Sequence, residues 1–391
     1  MARCVRMRTL MRILEQVVGI IVVLGTLADV FLTVLYARVG RGGFARFGTG
    51  IISDRVSTYV WQTFRWIAKR GAQPNDDLLS FAAPVIVVLF IAVWITLLAL
   101  GCAMVVHPML GSAVRATSGR TPTDYLTAIY VVGESISTAG PSDFTPHTAF
   151  SRLFLMLDSV IGLTMVTLGL TYLMQVYSAL QHRNTLAFKL DAMSGSTGDA
   201  AELFAGLGVG GHLDVGYAQL AEIGAEFSAQ KEAYQFYPVL FYFRYRQACY
   251  ATSRIALLAL DMVSLMQGTV SGEHDWIKRT AATKQIWLAA MGLVTTLDSA
   301  FIDGGDASNR RATPDAEALA RWRQRFHNAL RRFDEAGIET TTDEEAGFRE
   351  YVSLRTRWQA YVDLLADYMA HDIVDIDPAG CLPARSVGAA G

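Results

Sequence analysis

The 391 residues are 52% hydrophobic and only 18% charged, with a formal net charge of −2. That is more apolar than a soluble chain of this length needs, so a membrane protein is the first expectation and no nucleic-acid partner is expected. Cys4, Cys102, Cys249 and Cys381 lie far apart and form no CxxC pair, so neither a zinc or other metal site nor a disulfide framework is indicated.

Charge divides the chain: residues 1–190 carry +7 and residues 191–391 carry −9, a basic apolar half before an acidic, more polar one. At the start, Arg3, Arg6, Arg8 and Arg12 precede an apolar run, as in a signal peptide. Glu15, Asp29 and the lack of a small-residue cleavage site argue instead for a first membrane segment, Val17 to Ala37. The following connection, Arg38 to Asp77, holds seven basic residues against four before the first segment, which places it in the cytoplasm. The N-terminus then falls outside, against the pull of its own arginines. Within the connection, YVWQTFRWIAKR puts Trp61, Phe64 and Ile67 on one helical face beside basic residues. That pattern suits a helix in the membrane interface or an amphipathic helix packed on protein, and both readings stand.

Phe81 to Val106 is a run of 26 residues without a charge, enough to cross about 30 Å of hydrocarbon. Leu153 to Tyr177 is the third candidate span, its one charge being Asp158. A carboxylate at such depth costs about 3 kcal/mol on insertion scales, so Asp29 and Asp158 are expected to face protein or water rather than lipid.

Between the last two spans lies YLTAIYVVGESISTAGPSDFTPHTAFSR, Tyr125 to Arg152. Thr123 is a candidate N-cap for a helix from Tyr125 to Ser137, too short to span. Thr138 to Asp143 are turn formers that cannot continue it, and irregular backbone at membrane depth is tolerated only where it is buried in protein or lines water. A spanning helix, a re-entrant half helix, an irregular strand and a second spanning helix make an ion-channel pore.

This block resembles the pore of the potassium channel superfamily, bacterial two-transmembrane type. The filter signature T-x-x-T-x-G-Y-G-D aligns without gaps on Ser135, Ile136, Ser137, Thr138, Ala139, Gly140, Pro141, Ser142 and Asp143. Pro146, Thr148, Arg152 and Gly162 match the family's continuation, and the resemblance covers roughly residues 79–180. It implies a multi-pass protein of the plasma (inner) membrane that assembles as a homotetramer, because one loop supplies a quarter of a filter. Potassium or another monovalent cation would pass, with no cofactor. Glu134 would brace the filter from behind, or else reach a nearby hydroxyl or Arg152. Asp158 would line a cavity below the filter, and Gly162 would be a hinge of the inner helix or a close-packing residue.

The filter departs from the family at two positions. Potassium filters bind ions with rings of backbone carbonyls, and their glycines take positive φ. Gly140 keeps the first such position. Ser142 replaces the second, where a left-handed residue costs about 1 to 2 kcal/mol. Pro141 replaces the tyrosine, losing an N–H and the ring that props the filter. Five oxygen rows remain, the Thr138 hydroxyl and the carbonyls of residues 138–141. Weakened potassium selectivity follows, or a scaffold or sensor that has lost conduction.

The fold class expected is thus an all-α membrane protein: an N-terminal span and basic connection (1–78), a pore module (79–182), and a cytoplasmic α-helical domain (183–391) that acts on the pore. A linker is expected near 303–316 and a disordered tail from about Asp375. Tyr237 to Gln267 is apolar but broken by Arg244, Arg246, Arg254 and Asp261, so core helices rather than a further span are expected. Gly206, Gly208 and Gly211 satisfy G-x-G-x-x-G, yet a helix-like stretch precedes them, against a dinucleotide site. His274–Asp275 and His371–Asp372 suggest metal-dependent hydrolysis only weakly and read better as solvated surface residues. With no convergent catalytic set, no enzyme is expected.

Overall fold

The computed structural model describes residues 2–35, 50–70, 76–137, 139–140, 143–302 and 313–378. It is an all-α fold apart from one short hairpin, with three helices long and apolar enough to cross a membrane, Thr9–Leu35, Asp77–Met109 and Ala149–Met193. The chain forms two compact units, residues 1–63 with 84–177, and residues 64–83 with 178–391.

In the first unit, α1 (Ala2–Val30) continues into a π-helical turn, Phe31–Leu35. The next helices are α2 (Ile51–Arg70), whose end belongs with the short α3 (Asp76–Ser80) to the second unit, and α4 (Ala82–Val106). Gln16 of α1 donates to the Val105 carbonyl at 3.2 Å, whereas Asp29 meets Trp94, so α1 runs antiparallel to α4. Midway, Gly19 and Gly101 face each other; a methyl on Gly19 would sit 2.5 Å from the Gly101 carbonyl. Only glycine permits so close a crossing.

Asp29 is 4% exposed. Its carboxylate accepts from the Ile52 N–H, the Ser53 hydroxyl and the Trp94 indole, each at 2.8 Å. It therefore caps α2 from another helix. Gly50 stands where a side chain would be 2.3 Å from that carboxylate. The π-turn beside it delivers Thr33 to Ser53 at 3.0 Å, a local irregularity of the kind that accommodates a side chain inserted at a helix end. Trp61 and Ala68 are buried while Tyr59, Trp66 and Ile67 are exposed, so Trp61 belongs to a face of α2 packed on protein.

At the other end of α1, Glu15 accepts from the Tyr125 hydroxyl at 2.7 Å and meets His107 Nδ1 at 2.8 Å. The start of the first span thus lies beside the connection that follows α4. A hairpin closes that connection: β1 (Val114–Ala116) pairs antiparallel with β2 (Phe144–Pro146). Between them α5 (Tyr125–Ile136) is capped by Asp124, whose carboxylate accepts from Thr127 N–H at 2.9 Å. The cap is Asp124, not Thr123, because a carboxylate one residue later reaches the third helical N–H. Val114, Ala128, Val131, Val132, Phe144 and Leu155 form the core beneath hairpin and helix. The long α6 (Ala149–Met193) begins with a reciprocal pair, Thr148 and Ser151 each bonding the other's N–H.

The second unit packs α7 (Ala200–Leu207), α8 (Leu213–Phe236), α9 (Thr252–Thr269), α10 (Ala281–Phe301), α11 (Ala316–Glu335), α12 (Glu344–Arg355), α13 (Gln359–Tyr368) and α14 (Ile373–Ile376). Every residue of α9 but Gln267 is buried, as a helix surrounded on all sides requires. Its charges are paired: Arg254 with Asp191 at 3.1 Å, and Asp261 with Arg325, Arg355 and the Tyr351 hydroxyl.

Two expectations for this unit change. His274 is no solvated histidine: Nε2 donates to the Gly211 carbonyl at 2.9 Å and Nδ1 accepts from the Glu339 N–H at 3.0 Å. The tail does not come loose at Asp375, because Asp377 is 6% exposed and held by Arg325 and Arg355. Residues 379–391 and most of the linker near 303–316 lie outside the described residues. The glycine motif closes α7 rather than following a strand, with Gly211 N–H donating to the Ala336 carbonyl.

Candidate functional site

The polar stretch between α5 and β2 is held at both ends by the first unit. At its start, the Glu134 carbonyl accepts from the Gly140 N–H at 3.3 Å and from the Ser137 hydroxyl at 3.1 Å, so the chain turns back over the end of α5. Gly140 has φ +80° and is exposed with Ala139, a conformation that glycine adopts without steric cost. Thr138, Pro141 and Ser142 lie outside the described residues. At its far end, the Asp143 carbonyl accepts from Thr117 N–H at 2.8 Å, extending the hairpin by one bond.

Tyr130 joins the two ends. Its hydroxyl lies 2.7 Å from Glu134 Oε1 and 3.1 Å from Asp143 Oδ2. A phenol has one hydrogen, so it donates to one carboxylate at a time and holds the pair as a unit. Glu134 thus reaches a hydroxyl, and through it the acid that ends the filter signature. Arg152 serves elsewhere, its Nε donating to the Pro146 carbonyl at 3.3 Å. Tyr130 was not singled out from the sequence; its place one turn before Glu134 on the same helical face was the available signal.

Ser135 is fully buried and ties α5 to α6, donating to the Leu155 carbonyl at 2.8 Å and meeting the Ser159 hydroxyl at 3.0 Å. Gly162 lies against the end of α5: a methyl there would sit 2.1 Å from the Ile136 carbonyl. Of the two readings for Gly162, this is the geometry of close packing. Asp158 departs from expectation. It is 1% exposed within the single chain, with both carboxylate oxygens buried, so it does not face a cavity formed between copies. The physical reason is helical phase: the exposed side of α6 is apolar, with Met156, Leu163, Leu170 and Met174. Among the described residues no group of His, Cys, Asp or Glu is arranged to hold a metal.

Three helices long and apolar enough to cross a membrane, with a short helix and a returning strand between the last two, are the arrangement of a pore-loop membrane protein. Residues 85–179 match the family described as “Ion channel”, and the pore module is similar to that family's domain. The match covers less than half of the chain and is to a channel, not to a catalytic domain. A curated protein of Bacillus subtilis (strain 168), named “Uncharacterized membrane protein YdjJ”, is 25% identical over 171 residues, 44% of this chain and 46% of its own length. The chain thus spans about half the length of that relative. No solved structure matches.

Proposed function

We propose that the protein is a cation channel of the plasma membrane, assembled as a homotetramer, with a filter less selective for potassium than the family's intact signature. The observation that carries this reading is the short α5 followed by Gly140 at φ +80°, in a segment anchored at both ends. The carbonyls of residues 138–141 would coordinate a monovalent cation, and no cofactor is needed. Four copies would complete the filter, and the apolar outer faces of α1 and α6 would meet lipid or neighbouring subunits. The helical unit after α6 would lie in the cytoplasm and influence the pore.

Ion flux into liposomes tests this directly. The purified protein is expected to pass potassium and, to a comparable degree, sodium. Pro141→Tyr with Ser142→Gly is expected to shift the ratio toward potassium. Absence of flux in both forms, with correct insertion, refutes the channel reading. Flux in the double variant alone identifies a channel fold that has lost conduction, which the Pro141 and Ser142 substitutions favour as the second reading. A monomer by native mass spectrometry from mild detergent and from bilayers contradicts the tetramer.

A further inference from the structure

The second unit contains a cavity of about 830 Å³, within the range of small-molecule sites, about 300 to 1,000 Å³. It is walled by the start of α11, by α13 and by the turn into α14. Its described wall carries six carboxylates, Asp315, Glu317, Asp363, Asp367, Asp372 and Asp377, against three guanidinium groups, Arg321, Arg325 and Arg355.

Three of the acids are answered by cations: Glu317 by Arg321 at 2.7 Å, Asp367 by Arg65 of α2 at 3.2 Å, and Asp377 by Arg325 and Arg355. The other three accept from neutral donors. Asp315 takes the Ala318 N–H, Asp372 the Val374 N–H and Asp363 the Gln359 amide. Arg325 has the opposite deficiency. It is 4% exposed, its Nε bonds Asp261 and its Nη1 bonds Asp377, but Nη2 is buried without an acceptor. A buried guanidinium N–H left unanswered is costly, more so than a neutral one.

Such a wall fits a ligand of two characters, cationic over most of its length and anionic at one end. We propose that this cavity binds a basic amino acid, with its carboxylate directed at Arg325, whose Nη2 turns to the cavity on binding, and its cationic groups among Asp315, Asp363 and Asp372. A simple anion would enter a wall of net negative charge. A plain diamine would leave Arg325 unanswered. Asp367 joins this wall to α2, since its backbone carbonyl also accepts from Arg65 at 2.9 Å, so an occupant would touch the residue that holds the last turns of α2.

The test uses the full chain in detergent, unfolded by heat while tryptophan fluorescence is followed; Trp322 lies on the cavity wall. L-lysine and L-arginine are expected to raise the midpoint saturably by a few degrees. Cadaverine, which lacks the carboxylate, and L-norleucine, which lacks the side-chain amine, are expected to bind at least about tenfold more weakly, the loss of one charge-assisted hydrogen bond. Asp363→Asn with Asp372→Asn is expected to weaken L-lysine similarly, asparagine keeping the α14 cap. No saturable shift with either amino acid overturns the proposal, whether or not the variant folds. An equal response in a folded double variant also overturns it, as does cadaverine binding as tightly as L-lysine. Because no ion flux is read, failure here is separate from failure of the channel reading.

Discussion

Trp94 of α4 donates its indole N–H to Asp29 of α1 at 2.8 Å, and the same carboxylate caps α2 through the Ile52 N–H. One buried acid thereby fixes three helices at the end of the first span. Asp29→Ala removes the acceptor from three donors at once, of which Ser53 keeps Thr33 as a partner. Each orphaned donor costs about 1 to 3 kcal/mol, so the variant is expected to unfold at markedly lower denaturant than wild type in a mixed-micelle titration. Trp94→Phe, which leaves Asp29 two donors, is expected to lose less. Equal losses would mean that the carboxylate does not act as the common acceptor.

Gly162 and Gly169 offer a matched pair on α6. A methyl at Gly162 meets the Ile136 carbonyl at 2.1 Å, whereas one at Gly169 has its nearest neighbour at 3.8 Å. Gly162→Ala is expected to push α5 off α6, lowering thermal stability and abolishing flux; overpacking of this kind costs about 1 to 3 kcal/mol. Gly169→Ala is expected to be tolerated. A Gly162→Ala protein of normal stability with altered opening would instead favour the hinge.

Tyr130→Phe tests the joint between Glu134 and Asp143. Without the hydroxyl the two carboxylates lose their shared donor, and flux is expected to fall with little change in melting temperature, because Tyr130 is 46% exposed. Adding Glu134→Gln, which supplies a new donor toward Asp143, is expected to restore part of it. No recovery in the double variant would count against the shared-donor account.

The second unit should carry an acid-sensitive clamp. Burial alone would raise the Asp377 carboxyl, but the Arg325 and Arg355 guanidinium groups outweigh it and hold the group down at about 2. Since the folded value is depressed, the stabilisation is present above the unfolded value near 4 and is lost as pH falls toward 2. About 2 kcal/mol is expected to vanish over that window. Asp377→Asn should lower stability at neutral pH and flatten the dependence between pH 4 and 2, as read by chemical denaturation.

Much of this was legible in the residues. The charge-free run before Val106, the turn formers after α5 and the first signature glycine each have a direct physical consequence, and the apolar helices and the short helix between the last two of them follow. The burial of α9 was legible too, because charges interrupting an apolar run need partners inside a folded unit. What escaped were relations between elements distant in sequence. Asp29 reads as an acid avoiding lipid, but nothing local says that it caps a helix 23 residues on. The phase of Asp158 depends on which side of α6 faces α4 and α5, and helix periodicity cannot decide that where both sides are apolar. His274 looked solvated because its partners, Gly211 and Glu339, come from other segments.

The Tyr130 bridge gives the pore stretch the mechanics of a beam clamped at both ends. One clamp is the turn of Gly140 onto Glu134; the other is the rung from Thr117 to Asp143, and the phenol braces one against the other. A beam held this way resists sliding or stretching and yields most easily by torsion about its own axis. On the proposed channel reading, a change in ion occupancy is therefore expected to leave the two clamped ends, Glu134 and Asp143, stationary.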